Sequence, residues 1–324
     1  MKKNIAVLMG GYSHEAQISM KSGETVLKHI DSEKYNTVKI VIDEKGWNAH
    51  FNEQVIPVDK NDFSVTRQGE KIKFDLAFVV IHGTPGEDGK LQAYFDMIGM
   101  KYTTSGVLPL ALTFNKYACN TYLQQLGIRC AKSIRITRES SVNTNEIANE
   151  IGLPMFIKPS DGGSSFGVTK VKSKEEIESA IQTALEHGTE AVIESFVNGT
   201  EVTCGIYHLG GKTTVLYPTE IVSENEFFDF DAKYKGLSQE ITPARISEEL
   251  TELIRNTTKK VYHFLALKGL SRVDYIIQNG EPFLIEVNTV PGLSDASIIP
   301  QQARHSGIAL RDLFGAMIED ALMR

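Results

Sequence analysis

The chain has 324 residues and a formal net charge of -7, with 41% hydrophobic and 23% charged residues. This length predicts two or three domains, and the composition is ordinary for a globular protein. The charge argues against a nucleic-acid binder that relies on bulk positive charge. No apolar run approaches the roughly 20 residues of a membrane helix. Three scattered cysteines predict reduced thiols and therefore a cytoplasmic protein. From the charge and the apolar runs we expect that it binds neither nucleic acid nor membrane.

The first third of the chain alternates predicted strands with predicted helices. Residues 4–9 form a continuous apolar run, typical of a strand buried on both faces, and two glycines end it. The other predicted elements are a helix over residues 14–30, strands over 38–42 and 76–81, and a helix over 91–98. This order predicts an α/β domain whose parallel sheet carries helices on its faces. Ser-Gly and Pro interrupt the pattern near residues 104–109, where we place a domain boundary.

The remaining two thirds predict a mixed α+β arrangement. The predicted helices cover residues 110–126, 174–186, 247–265 and a stretch from about 310, and the predicted short strands cover 155–158, 168–171 and 191–196. Two hairpins are predicted at 201–217 and 270–288, because Gly210-Gly211 and Asn279-Gly280 are tight-turn signals. Residues 223–243 are polar, aromatic and only weakly periodic, and an unpatterned stretch of about 20 residues is usually functional or disordered.

The second predicted hairpin concentrates polar groups on one face. Side chains alternate along a strand, so Arg272 and Asp274 share a face, as do Glu286 and Asn288. The turn makes the strands neighbours and brings two carboxylates, an amide and a guanidinium together. Such oxygen donors suit a hard divalent cation such as Mg²⁺, which also keeps water and phosphate oxygens. The alternative is a solvated hairpin face with incidental charges, which would carry interspersed Lys, Ser or Thr.

A Gly/Ser-rich loop follows Lys158, which lies on a predicted strand. Three glycines and three serines in residues 160–167 can fold backbone N–H groups around a phosphate. No Lys-Ser/Thr pair follows the last glycine, so the loop is not a Walker A motif. A flexible connector is the alternative interpretation.

Two more loops follow strands at the predicted carboxyl edge of the first sheet, where open α/β sheets bind ligands. They are residues 10–15 (GGYSHE) and 82–89 (HGTPGEDG). The first lacks GxGxxG, and Asp43 is a poor substitute for the acidic residue that binds the ribose hydroxyls in dinucleotide sites. A dinucleotide site is therefore not expected. His82 in the second loop has two open interpretations, a structural hydrogen-bonding group or a catalytic one.

Eight blocks then follow one another along nearly the whole chain. They are GGYSHEAQIS (10–19), HGTPGEDGKLQ (82–92), NK (115–116), KPSDGGSSFG (158–167), GTEVT (199–203), FFDFDAKY (227–234), SRVDY (271–275) and EVNTVPGLSDAS (286–297). In these blocks the chain resembles the D-alanine–D-alanine ligases of bacterial cell-wall synthesis, which are members of the ATP-grasp superfamily. The resemblance implies a Rossmann-like domain over residues 1–104 and two ATP-grasp subdomains over 105–194 and 195–324. It also implies a mobile loop at about 223–242.

The resemblance implies a reaction. ATP phosphorylates the carboxylate of one D-alanine, and the amine of a second D-alanine attacks the acyl phosphate. The products are D-alanyl-D-alanine, ADP and phosphate, and the dipeptide serves peptidoglycan precursor synthesis. The implied cofactors are ATP and two Mg²⁺ or Mn²⁺ ions, and the implied assembly is a homodimer.

The resemblance also assigns the nucleotide site. Lys116 and Lys158 would hold phosphates, with Lys158 near the adenine edge as well. Glu194 would receive the adenine amino group, and Glu201 the ribose hydroxyls. Lys233 on the mobile loop would reach the phosphates.

Metal and transition-state roles fall on the second hairpin and the loop after it. Asp274, Glu286 and Asn288 would be the ligands of the two metal ions. Arg272 would bind the transferring phosphate and the oxyanion, to which Gly292 would donate a backbone N–H.

The remaining roles concern the two D-alanines. Glu15 would anchor the ammonium of the first, and Ser297 would bind the carboxylate of the second. His82, Ser164 and Tyr234 match a hydrogen-bonded cluster near the first substrate, in which Ser164 and Tyr234 link to Glu15. Relatives that make a D-alanyl-D-lactate ester tend to have Phe in place of Tyr234, so Tyr predicts the dipeptide.

Three alternatives stand beside a D-alanine–D-alanine ligase. One is a related ATP-grasp ligase with another carboxylate and acceptor, which the matches at Glu15, Ser297 and Tyr234 disfavour. Another is a catalytically idle nucleotide binder, which would be expected to lose metal ligands or Arg272. The third is a nicotinamide dehydrogenase, disfavoured by the missing glycine fingerprint.

Overall fold

Three larger sheets are built from successive stretches of the chain in the computed structural model, which describes residues 2–52, 54–163, 166–223 and 238–324. The first stretch contains β1 (Lys3–Gly10), α1 (Ala16–His29), β2 (Tyr35–Asp43), β3 (Gly46–Phe51), β4 (Gln54–Pro57), β5 (Val65–Arg67), β6 (Glu70–Ile72), β7 (Leu76–Val79), α2 (Lys90–Ile98) and β8 (Lys101–Tyr102). Six of these strands form a sheet in the order β4-β3-β2-β1-β7-β8, and β5 pairs with β6 separately. Strand β1 runs parallel to β2 and β7, whereas β2, β3 and β4 are antiparallel. The predicted parallel sheet is confirmed at its centre, and the antiparallel edge was not predicted.

The apolar run in β1 is buried on both faces, as predicted. Ile5 and Val7 pack into one hydrophobic cluster with α1, while Ala6 and Leu8 pack into another with β2 and α2. The carboxyl ends of β1 and β7 lie side by side because the strands are parallel. The loops that follow these strands, residues 10–15 and 82–89, therefore meet at one edge of the sheet.

The second stretch contains α3 (Val107–Phe114), α4 (Lys116–Gln125), β9 (Ser133–Thr137), α5 (Thr144–Ile151), β10 (Met155–Pro159), β11 (Thr169–Val171), a 3-10 turn (Lys174–Glu176), α6 (Ile177–His187) and β12 (Glu190–Ser195). Its four strands form an antiparallel sheet in the order β11-β10-β12-β9. One continuous helix over residues 110–126 was predicted, and this is wrong. The backbone of Asn115 is extended and its side chain accepts the Ala118 N–H at 2.8 Å, so Asn115 begins a new helix.

The third stretch contains β13 (Thr200–Leu209), β14 (Lys212–Val215), β15 (Thr219–Ser223), β16 (Ser238–Ile241), α7 (Glu248–Phe264), β17 (Leu270–Gln278), β18 (Glu281–Asn288), α8 (Ile298–His305) and α9 (Leu310–Met323). Its sheet has the order β16-β15-β13-β17-β18, with β14 also paired to β13. Both predicted hairpins are confirmed, and their turn residues have positive φ: 53° and 80° at Gly210-Gly211, 53° and 79° at Asn279-Gly280. The stretch predicted to be irregular forms β16 near its end, and residues 224–237 of it lie outside the described residues.

The last helix packs on the first sheet. Leu313 and Phe314 of α9 share a hydrophobic cluster with Ile5, Val7 and Phe78, and the rings of Phe78 and Phe314 meet edge to face at 5.9 Å. The two ends of the chain are thereby joined in one core.

Two predictions from composition can be compared with the described part of the chain. It contains no helix long and apolar enough to cross a membrane. Cys119, Cys130 and Cys204 are buried and form no disulfide, as predicted.

Candidate active site

Two adjoining cavities are lined by predicted site residues from all three stretches. The first has a volume of about 310 Å³, and the predicted residues lining it are Glu15, His82, Arg272, Glu286, Asn288, Gly292 and Ser297. The second has a volume of about 450 Å³, and the predicted residues lining it are Glu15, Lys116, Lys158, Glu194, Glu201, Asp274 and Glu286. Glu15 and Glu286 line both cavities, so the two spaces meet at these carboxylates. The predicted residues Ser164, Lys233 and Tyr234 lie outside the described residues.

The hairpin of β17 and β18 brings its four polar side chains together as predicted. Arg272 lies opposite Asn288 and Asp274 opposite Glu286, and opposed residues of an antiparallel pair share a face. The register shifts after Asp274, so Ile285 becomes an extra residue in β18. Ile285 lines the second cavity next to Glu286.

Asp274 is held by donors on every side. The Arg272 guanidinium donates from Nε to Oδ1 and from Nη2 to Oδ2, both at 2.8 Å. The Asn288 amide donates to Oδ2 at 2.9 Å, and the Thr203 hydroxyl donates to Oδ1. The two-pronged contact with the guanidinium fixes the orientation of both side chains.

The donor set fits a magnesium ion that is completed by phosphate oxygens. Asp274, Glu286 and Asn288 offer two carboxylates and one amide oxygen, and Mg²⁺ is typically held by one or two carboxylates with substrate phosphates and waters. In the described residues no group of three His, Cys, Asp or Glu side chains could hold an ion by itself. Lys116 Nζ lies 3.8 Å from Glu286 Oε2, so a cation already neighbours this carboxylate.

The second cavity combines an ion pair with an apolar wall. Lys158 Nζ lies 2.6 Å from Glu194 Oε2, and both side chains are about nine-tenths buried at neighbouring strands β10 and β12. Phe156, Ile276 and Ile285 contribute apolar surface. An apolar wall beside a buried carboxylate suits a purine ring with an exocyclic amino group.

The Gly/Ser-rich loop is anchored to the start of α4. Lys116 N–H donates to Ser160 O at 2.7 Å, and the Lys116 ammonium donates to Gly162 O. Ser160 Oγ donates to Asn115 Oδ1 at 2.9 Å. The first N–H groups of α4 are thus used to hold the loop, and the Lys116 ammonium supplies a positive charge beside it.

Glu15 lies against this loop. A Cβ atom added to Gly163 would lie 2.6 Å from Glu15 Oε2. Only a residue without a side chain allows the loop to approach the carboxylate this closely. Glu15 is therefore placed between the loop and the first cavity.

His82 is buried and contacts protein groups at both ring nitrogens. Its Nδ1 lies 2.7 Å from Val290 O and its Nε2 lies 3.4 Å from Ser22 Oγ. Because a carbonyl oxygen only accepts, Nδ1 carries a proton and donates it to this bond. Burial lowers the pKa of His82, so the ring is neutral at pH 7. The imidazole thus lines the first cavity while it holds the backbone of Val290.

The loop after β18 completes the first cavity. Ser297 precedes the first turn of α8, and its Oγ lies 2.7 Å from Ser294 Oγ. A Cβ atom on Gly292 would lie 2.9 Å from Ser297 Oγ, so these two residues are close neighbours. The N-terminus of α8 and its hydroxyls form an environment that suits a carboxylate.

The sequence reasoning missed Glu87, which lines the first cavity. Its Oε1 accepts the N–H groups of Thr289 and Val290 at 3.2 and 3.1 Å, and its Oε2 accepts the Gly83 N–H at 3.0 Å. Burial raises the pKa of Glu87 to about 7, and the nearby Glu15 charge adds to the effect. Its only signal in the sequence was membership of the HGTPGEDG block.

Comparison with known proteins gives matches along nearly the whole chain. Residues 4–105 match the family described as D-ala D-ala ligase N-terminus, and residues 122–319 match D-ala D-ala ligase C-terminus. A D-alanine--D-alanine ligase of Parabacteroides distasonis is 51% identical over 99% of this chain and 98% of its own. One from Flavobacterium johnsoniae is 50% identical over 99% of each chain.

Solved structures give the same result for the fold. The VanG D-Ala:D-Ser ligase of Enterococcus faecalis has a TM-score of 0.89 at 32% identity and covers 98% of this chain and 99% of its own. A D-alanine--D-alanine ligase of Bacillus anthracis complexed with ATP has a TM-score of 0.80 at 29% identity and covers 99% of this chain and 98% of its own. The predicted ATP-grasp fold is confirmed. With both family regions matched in order and half of its residues identical to named members, the chain belongs to the D-alanine–D-alanine ligase family.

Proposed function

We propose that this protein joins two D-alanines to D-alanyl-D-alanine in an ATP-dependent, ADP-forming reaction for peptidoglycan synthesis. The observation that carries the proposal is the junction of the two cavities at Glu15 and Glu286. One cavity offers a slot for a nucleotide, and the other offers separate sites for an ammonium group and a carboxylate. A ligase that activates a carboxylate with ATP needs this adjacency, because the γ-phosphate must reach the acid.

The first D-alanine would bind with its ammonium at Glu15 and its carboxylate toward Arg272. The nucleotide would lie in the second cavity, with adenine at Glu194, ribose at Glu201 and phosphates at Lys116 and Lys158. Phosphoryl transfer gives D-alanyl phosphate, whose phosphate is a better leaving group than the oxide of a free carboxylate. This role assignment is supported by the lining of each cavity.

Magnesium would be held by the oxygens of Asp274, Glu286 and Asn288. When bound, the ions offset the negative charge of the phosphates and the carboxylate. The protein's own contribution is a guanidinium placed beside this set, since Arg272 already contacts Asp274 at two points. Arg272 can then meet the charge that develops on the transferring phosphate and on the oxyanion.

The second D-alanine would bind with its carboxylate at Ser297 and the N-terminus of α8. Its amine attacks the acyl phosphate, the tetrahedral intermediate places its oxyanion toward Arg272 and the Gly292 N–H, and phosphate leaves. The loop that the resemblance implies at about 223–242 would exclude water, which would otherwise hydrolyse the acyl phosphate. Residues 224–237 of that range lie outside the described residues, and residues 238–241 form β16.

The test is a turnover assay with purified protein, ATP, Mg²⁺ and D-alanine, in which phosphate and dipeptide are both measured. We expect one dipeptide per phosphate. A folded protein that binds ATP without turnover would favour the idle nucleotide binder. Turnover only with L-alanine or another acid would favour a related ligase.

Two arginine variants provide a matched comparison. Arg272→Met should abolish turnover, whereas Arg311→Met removes only an ion pair with Asp31 outside both cavities and should leave turnover intact. Equal activity in the two variants would contradict the role of Arg272.

We further propose that the protein acts as a homodimer in the cytoplasm. Free cysteines are typical of a reducing compartment. The homodimer is the assembly that the resemblance to the family implies. Light scattering on the purified protein measures the mass, and a value of one chain would refute the dimer.

A further inference from the structure

The backbone of residues 289–293, here called the oxyanion segment, is hydrogen-bonded to side chains of the first stretch. It contains Gly292 and connects β18 to α8. Glu87 accepts the Thr289 and Val290 N–H groups, and His82 donates to Val290 O at 2.7 Å. The N–H and the carbonyl of Val290 are thus both hydrogen-bonded, which fixes the oxyanion segment just before Gly292.

The far side of Gly292 is fixed from a different element. Ser22 on α1 is fully buried, and its Oγ accepts the Leu293 N–H at 3.0 Å. Ser22 Oγ also lies 3.4 Å from His82 Nε2, which is the acceptor nitrogen of the ring. The Ser22 hydroxyl can therefore donate its proton to His82 Nε2 while its oxygen accepts the Leu293 N–H.

These contacts enclose the one residue of the segment that the proposed mechanism uses. Val290 is held on one side of the Pro291-Gly292 pair and Leu293 on the other. Both residues of the pair line the first cavity. A backbone donor that serves an oxyanion must be held in place before the reaction, because an ordered donor needs no reorganisation during it.

We propose that Glu87 and Ser22 are positioning residues that hold residues 289–293 so that the Gly292 backbone can serve the oxyanion. This inference rests on the proposed ligase function. It extends that function by giving the loop after β7 and the buried face of α1 a part in catalysis through the backbone that they hold. Glu87 spans the two loops, since its other oxygen accepts the Gly83 N–H at 3.0 Å.

The setting of Glu87 is costly in itself. Enclosure by protein and the proximity of Glu15 raise its pKa to about 7. An apolar side chain would avoid that cost but would leave three backbone N–H groups without an acceptor. The need to accept these three N–H groups explains why a carboxylate occupies this buried position.

The first experiment is hydrogen–deuterium exchange on the full-length wild type and three variants. Glu87→Met keeps the length and removes both acceptor oxygens, while Glu87→Gln keeps one oxygen that can serve Thr289 and Val290. Asp31→Asn is the matched control, because Asp31 is also a largely buried carboxylate that accepts a backbone N–H, from Glu33 at 3.0 Å. We expect exchange in residues 289–293 to be about tenfold faster in Glu87→Met, intermediate in Glu87→Gln and unchanged in Asp31→Asn.

The second experiment is steady-state kinetics on the same proteins, below their melting temperatures. Glu87→Met should lower kcat by about tenfold to a hundredfold, since loss of an oxyanion donor costs about that much or more. KM for ATP should stay within about twofold, because the nucleotide cavity is lined by other residues. Glu87→Gln should recover part of kcat. A merely structural role would lower the melting temperature and leave kcat unchanged.

Ser22→Ala provides a second route should Glu87→Met not fold. It removes the acceptor of Leu293 and should also speed exchange in the oxyanion segment and lower kcat. Unchanged exchange or unchanged kcat in a folded variant of either residue would overturn the proposal. A wild type that makes no dipeptide would instead overturn the ligase function and, with it, this role, so the two failures are distinguishable.

Discussion

Substitution of Gly163 by Ala should impair the first D-alanine site without unfolding the protein. The added Cβ would lie 2.6 Å from Glu15 Oε2, which is about 0.8 Å short of an ordinary 3.4 Å contact. The nearest atom is the far end of a flexible side chain, so the Glu15 carboxylate moves and the backbone does not. A misplacement of about 1 Å at a substrate-positioning group can cost about a hundredfold in rate.

We therefore expect kcat/KM for D-alanine to fall by about tenfold to a hundredfold, or about 1.4–2.7 kcal/mol. KM for ATP should change by less than about twofold. The control is Gly315→Ala on α9, which also adds a single Cβ but meets no heavy atom within 4 Å and lies outside both cavities. It should leave KM for D-alanine unchanged.

A double variant tests whether the effect passes through Glu15. Once Glu15→Gln has removed the charge, addition of Gly163→Ala should cost little more. The reasoning is refuted when Gly163→Ala stays within threefold of wild type, when Gly315→Ala has the same effect, or when Glu15→Gln and Gly163→Ala are fully additive.

Three further predictions concern other parts of the molecule. Glu286→Gln should reduce turnover by about a hundredfold or more with little change in melting temperature, because it weakens the metal site and not the core; near-normal turnover would count against the metal assignment. Gly199→Ala should lower stability by about 1–3 kcal/mol, since its Cβ would lie 1.9 Å from the Ile277 backbone oxygen, whereas Gly315→Ala on α9 meets no atom within 4 Å; calorimetry that ranks them equally would contradict this. Tyr234→Phe should shift acceptor choice from D-alanine toward D-lactate, and an unchanged product ratio at neutral pH would assign that choice to another residue.

The hairpin site was predictable because its physics is local. Strand periodicity fixes which side chains share a face, and the Asn279-Gly280 turn fixes which strands are neighbours. These two rules were enough to bring Arg272, Asp274 and Glu286 together. The register shift after Asp274 was not predictable, because no residue type there demands a bulge.

Other features depend on partners that are distant in sequence. Strands β3 and β4 lack a clean alternation of polar and apolar residues; β3 pairs with β2, and β4 pairs with β3 at the edge of the sheet. The helix break at Asn115 depends on a capping contact that competes with helix continuation. Glu87 meets Thr289 and Val290 across about 200 positions of sequence, and nothing in a single sequence pairs them.

The packing of α9 on the first sheet has a consequence for biosynthesis. Strand β8 ends at Tyr102 and α9 ends at Met323, so roughly 220 residues emerge from the ribosome between the sheet and the helix that covers it. At about 5–20 residues per second, the apolar side chains of Ile5, Val7 and Phe78 wait more than about ten seconds for Phe314. Nascent chains of this protein therefore expose an apolar, aggregation-prone face of the first sheet for most of translation. A stop codon shortly before residue 310 would make that exposure permanent.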